Sequence, residues 1–174
     1  MPNPVHVVFV CTGNICRSPS AHAVLETWLA RELRQGEGWP AGVVVESAGT
    51  GSWHAGELPT ALTRAEGKRR GHTVEHRARV VRPGDFDPRG LVVAMGTEHR
   101  RDLLRLAPAG FDAGRVVLFR SFDPDANAPR DVEDPYYGGP ADFVEMFDVI
   151  ERCMPALLAR VRGLVLVASH NPGP

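Results

Sequence analysis

Residues 11–20 read CTGNICRSPS, set between the apolar run Val7–Val10 and an amphipathic stretch that begins at Ala21. Few folds accommodate that order. A strand that turns sharply through Gly13 into a helix aims several backbone N–H groups at one point, where the helix N-terminus adds partial positive charge. Such a concavity binds an oxyanion. Thr12, Gly13, Asn14, Ile15, Cys16, Arg17 and Ser18 form its wall, and the planar guanidinium of Arg17 matches two phosphate oxygens at once. Cys11 then lies beneath the phosphorus, in a field that stabilises the thiolate, the attacking form of the thiol. Ser18 is placed as N-cap with Pro19 at the first helical position. Alternatively, the Ser18 hydroxyl faces Cys11 and stabilises it as a leaving group.

Around this segment the chain alternates short β-branched runs with helical periodicity. The runs are Val5–Val10, Val43–Val45, Leu91–Met95 and Val116–Phe119. The pattern predicts an α/β fold of three layers, a central four-stranded parallel sheet with helices on both faces and the phosphate-binding loop after the first strand. The first helix carries Ala21, Val24, Leu25, Trp28, Leu29 and Leu33 on one stripe and ends at Gly36 and Gly38. A second is expected over Pro59–Arg70, with Lys68, Arg69 and Arg70 as its solvated end. A third covers Thr97–Leu106, with Leu103, Leu104 and Leu106 inward. The last follows Phe143, Phe147, Ile150, Met154, Leu157, Leu158 and Val161, with a kink or break at Pro155. Residues 166–174 read as a tail outside a core of about 5–165 in one domain spanning 1–174.

Two loops are rich in turn formers, Gly49–Pro59 and Ser121–Pro140. Ligands of open α/β sheets sit beyond the carboxyl ends of the strands, and a loop of about twenty residues at that edge is functional more often than not. Asp131, Glu133 and Asp134 are its acids. A thiolate attack on a phosphate ester needs a proton for the departing oxygen, and Asp134 precedes Pro135, whose ring holds residue 134 extended. By residue type alone the three acids remain rivals. Trp53, Tyr136 and Tyr137 flank the same edge and suit the walls of a slot for a flat ring, although Tyr137 is equally suited to packing beneath its loop.

Composition narrows the partners. With 20 basic and 21 acidic residues and a net charge of −1, no global field favours nucleic acid or an anionic membrane. No stretch approaches 18 apolar residues, which argues against a membrane span. Three cysteines, Cys11, Cys16 and Cys153, in a chain of 174 residues point to a reducing compartment rather than a disulfide scaffold. The short N-terminus shows no leader. His6, His22, His54, His72, His99 and His170 show no metal-ligand spacing in the sequence.

Four segments in this order, VFVCTGNICRSPSA, VESAGTGSW (45–53), HRARVV (76–81) and DVEDPYYGG (131–139), resemble the low-molecular-weight protein tyrosine phosphatases over roughly residues 5–163. The resemblance implies hydrolysis of phosphotyrosine through a phosphocysteine, with Cys11 as nucleophile, Arg17 as phosphate clamp and Asp134 as general acid and base. It further implies Trp53 and Tyr136 as ring walls, Thr12 at the entrance, and Asn14, Ser47 and His76 as supports of the phosphate loop. A cytoplasmic monomer acting on a tyrosine-phosphorylated protein, without metal or cofactor, is expected. Cys16 is either a protective partner for an oxidised Cys11 or a buried small hydrophobe. Many relatives carry an acid after the methionine of AMGTEH, where this chain has Gly96. Three rivals share features with the chain. An arsenate reductase would need a cysteine relay, whereas the one distant thiol is Cys153. An arginine phosphatase would resemble it at Thr12 but not at Ile15, Trp53 and the tyrosine pair. A non-catalytic phosphotyrosine-binding module would not need both Cys11 and Asp134.

Overall fold

The computed structural model describes residues 3–36, 38–39 and 42–170. Four parallel strands, β1 (Val5–Cys11), β2 (Val43–Gly49), β3 (Leu91–Ala94) and β4 (Val116–Leu118), lie in the order β2-β1-β3-β4. The strand carrying Cys11 is therefore central. It pairs with β2 from Val5–Val43 to Cys11–Gly49 and with β3 from Val7–Leu91 to Val10–Ala94.

Alternation along β1 builds two cores. Val5, Val7, Phe9 and Cys11 face one way, beneath α1 (Arg17–Arg34) and α4 (Pro140–His170), with α2 (Ala61–Arg69) beside α4. Val8 and Val10 face the other, with Val92, Ala94, Phe86 and Leu103 of α3 (Thr97–Leu106). Both faces of the sheet are dry, which is why its strands read as continuous apolar runs.

Several details depart from the expectations. The first helix starts at Arg17 with Cys16 as N-cap, so Ser18 is not the cap and the helix opens without a side-chain capping bond. The second helix is shorter than expected and capped by Thr60, whose hydroxyl accepts from Thr63 N. Leu33 and Leu106, both in the last turn of their helices, are exposed. Pro155, on the exposed face, does not interrupt α4, which runs unbroken from Pro140 to His170. Residues 166–170 continue α4 as helix, and 171–174 lie outside the described residues.

Arg70 is no solvated end. Its guanidinium meets Glu66 of α2 and Asp148 and Glu151 of α4 at 2.6–2.7 Å and lies over the Phe147 ring, tying the two helices together. By length and composition alone α4 is apolar enough to cross a membrane. It is built into the core through Phe143, Phe147, Ile150, Met154, Leu157 and Val161.

Candidate active site

The end of β1, the loop 12–16 and the first turn of α1 enclose a cleft of about 160 Å³ lined by Cys11, Thr12, Gly13, Ile15, Cys16, Arg17, Trp53, His54, Asp134, Tyr136 and Tyr137. No acidic residue occupies the first turn of α1. Its uncapped N–H groups and dipole are left for an anion.

The loop's shape is held by Asn14. It is the one non-glycine residue with positive φ (56°) among the described residues, a conformation that asparagine tolerates better than most. Its buried amide works in two directions: Nδ2 donates to Ser18 Oγ at 2.8 Å, and Oδ1 accepts from Arg79 N at 3.0 Å. Arg79 is itself fixed, its guanidinium bound twice at 2.9 Å by the buried carboxylate of Asp85. From the β2 side, Thr50 N and Gly51 N donate to the Cys11 and Thr12 carbonyls. Gly49 permits that approach, since a Cβ there would stand 2.6 Å from Thr12 O.

Ser18 Oγ stands 3.0 Å from Cys11 Sγ, the geometry of the leaving-group alternative. Arg17 donates from Nη1 to Val132 O at 3.3 Å and from Nη2 to Asp134 Oδ2 at 3.2 Å. Of the three rival acids only Asp134 lines the cleft. Asp131 turns instead to the start of α3, accepting from Thr97 N at 2.7 Å, and its carboxyl carbon lies 3.2 Å from where a Cβ on Gly96 would be. Here the carboxylate beside Gly96 comes from the long loop.

Trp53 is 75 % exposed and Tyr136 41 %, both against the cleft. Tyr137, at 96 % exposed and edge-on to Tyr136, does not pack beneath its loop. Among the described residues, the side-chain bonds and ring contact of Ser47 and His76 run to His22 and Glu26 and not to the phosphate loop. Ser47 pairs with His22 Nδ1 at 3.2 Å, and the His76 ring stacks on His22 at 3.6 Å, one layer behind it. Burial pushes the Cys16 thiol up, which keeps it a thiol.

Sequence reasoning passed over four contributors. His54 lines the cleft and its ring abuts Gly13, His99 Nε2 lies 2.8 Å from Thr12 Oγ1, and Arg79 and Asp85 brace Asn14. Burial, and next the Arg17 charge, hold His99 down to about 4, so it is neutral at physiological pH. Only the HRARVV segment carried a signal for any of them.

The model of the low molecular weight phosphotyrosine protein phosphatase family matches residues 6–165. The chain belongs to this family. It is 46 % identical over 157 residues to a low molecular weight protein-tyrosine-phosphatase of Streptomyces coelicolor, covering 90 % of this chain and 93 % of that one. It is 44 % identical to protein-tyrosine phosphatase A of Mycobacterium tuberculosis over 90 % of this chain and 91 % of that protein. The crystal structure of an Entamoeba histolytica protein tyrosine phosphatase with Hepes in its active site superposes with a TM-score of 0.79 at 30 % identity, covering 91 % and 97 % of the two chains. A family member with this cleft is a hydrolase.

Proposed function

We propose that the chain hydrolyses phosphotyrosine in proteins through a phosphocysteine on Cys11. The observation that carries this reading is the convergence of Cys11, Arg17 and Asp134 in one cleft bordered by Trp53 and Tyr136. The phosphate sits on the loop N–H groups and the Arg17 fork. Phosphate on Arg17 Nη2 displaces Asp134 and leaves its carboxyl to the bridging oxygen. The Cys11 thiolate attacks phosphorus, the bond to the tyrosine oxygen breaks, and Asp134 gives that oxygen its proton. Asp134, now a carboxylate, takes a proton from water as the water oxygen attacks phosphorus. Inorganic phosphate leaves, and the Cys11 thiolate is restored beside the Ser18 hydroxyl. The scheme requires no cofactor.

The aromatic border favours a ring over the shorter phosphoserine. Three free thiols suit a cytoplasmic setting, and the chemistry is complete within one chain, as a monomer. Parallel assays on p-nitrophenyl phosphate and on phosphotyrosyl and phosphoarginyl peptides test the substrate. Preference for phosphotyrosine is expected, and preference for phosphoarginine would overturn it.

A further inference from the structure

Behind the phosphate loop, three donor atoms converge from two segments of the chain. His22 and Glu26 lie four residues apart on one face of α1, and His76 comes from the segment that leads to Arg79. One nitrogen from each histidine and a carboxylate oxygen all lie within 4.8 Å of one another. His22 Nε2 stands 3.3 Å from Glu26 Oε1, and His76 Nε2 stands 3.3 Å from Glu26 Oε2.

Those separations have a chemical meaning. Zinc bonds of about 2.0–2.2 Å to histidine nitrogen and carboxylate oxygen put tetrahedral donors roughly 3.3–3.6 Å apart. Each histidine meets this spacing to a different oxygen of Glu26, and the two rings stack with centroids 3.6 Å apart, so a shared ion requires the partly exposed His76 ring to swing off the stack.

The surroundings of His22 fit as well. His22 is 4 % exposed, and its Nδ1 is engaged by Ser47 Oγ at 3.2 Å, the outer contact that orients a metal-binding imidazole. Its Nε2 is buried and has no hydrogen-bond partner among the described residues, although Glu26 Oε1 lies 3.3 Å away. Glu26 and His76 remain partly exposed, which gives an ion a way in from solvent.

We propose that His22 Nε2, His76 Nε2 and Glu26 form a binding site for a divalent transition metal of the zinc class, with water completing the tetrahedron. The ion fastens α1, whose first turn ends the phosphate loop, to the segment whose Arg79 N–H holds Asn14. Its role is to brace the loop, and it takes no part in the phosphoryl transfer.

Cobalt(II) is the probe, because tetrahedral coordination gives it intense visible ligand-field bands. It is titrated into the Cys11→Ser, Cys16→Ala chain, which removes the competing thiols of the cleft. Saturation at one equivalent, displacement by zinc, and at least about tenfold weaker binding in Glu26→Gln or Ser47→Ala support the site. Glu26 is half-exposed, and far-UV circular dichroism of Glu26→Gln checks that the fold is kept. In the chain with its native cysteines, zinc raises the melting temperature, and Glu26→Gln abolishes that rise. Absence of saturable cobalt binding, or bands that persist undiminished in Glu26→Gln, would overturn the proposal.

Discussion

Asn14 and Ser18 settle the direction of a hydroxyl. Because the Asn14 amide donates to Ser18 Oγ at 2.8 Å, the Ser18 proton is left for Cys11 Sγ at 3.0 Å or the more distant Ala48 carbonyl at 3.4 Å. A thiolate leaving phosphorus gains a donor that is already aimed.

Ser18→Ala therefore slows hydrolysis of the phosphocysteine more than its formation. A hydrogen bond to a charged group is worth about 1.5–3 kcal/mol, so the second step falls by about 10- to 150-fold. Rapid-quench kinetics on an aryl phosphate should show a burst of phenol followed by a slower steady state. A loss confined to the burst phase would contradict this.

Asp134→Ala removes the proton donor and leaves the cradle intact. Turnover of phenyl phosphate, whose leaving group is poor, should fall by about 10²- to 10⁴-fold, and by less for p-nitrophenyl phosphate. Competitive inhibition by inorganic phosphate should survive. Equal losses on both esters would argue against a role in leaving-group protonation.

Asn14 couples backbone shape to two hydrogen bonds, and substitution separates them. Asn14→Gly keeps the positive φ but loses the amide contacts, whereas Asn14→Ala loses both. Chemical denaturation should place Asn14→Ala below Asn14→Gly by about 1 kcal/mol, the cost of left-handed backbone for an ordinary residue. Both variants should lose activity.

His99 gives the protein a distinct acid sensitivity. Its folded value of about 4 lies below the ordinary 6.5, so between these values the unfolded chain binds a proton that the folded chain refuses. Nothing is lost above pH 6.5, and as pH falls from 6.5 towards 4 up to about 3 kcal/mol disappears. Glu66 and Asp123, both held near 2 by arginines, give way in the lower window from about 4 to 2. Urea denaturation at stepped pH should show the upper slope in the wild type and a flattened one in His99→Asn. An unchanged slope would contradict the assignment.

The four-stranded parallel sheet and the loop after its first strand were legible because they depend on neighbours in sequence. Val5–Cys11 is apolar at all but one position, as a strand buried on both faces must be, and Cys11 to Ser18 carries its own turn, arginine and helix start. What stayed hidden depends on tertiary proximity. His99 and Thr12 meet only because β3 pairs beside β1, and Asp131 reaches Thr97 only when the long loop folds back over α3. Arg70 looked solvated because the acids that receive it lie on α4, far along the chain. Ser47 and His76 were grouped with the phosphate loop, but their contacts run to His22, whose place on the buried side of α1 shows only once the sheet is assembled.

The central claim is a covalent phosphoryl group on Cys11. A phosphotyrosyl peptide mixed with the Ser18→Ala chain, quenched in acid within the first turnovers and mapped by mass spectrometry, tests it most directly. The account predicts phosphate on the peptide containing Cys11, absent in Cys11→Ser. Turnover without a phosphorylated enzyme, or phosphate on Cys16 or another residue, would contradict it.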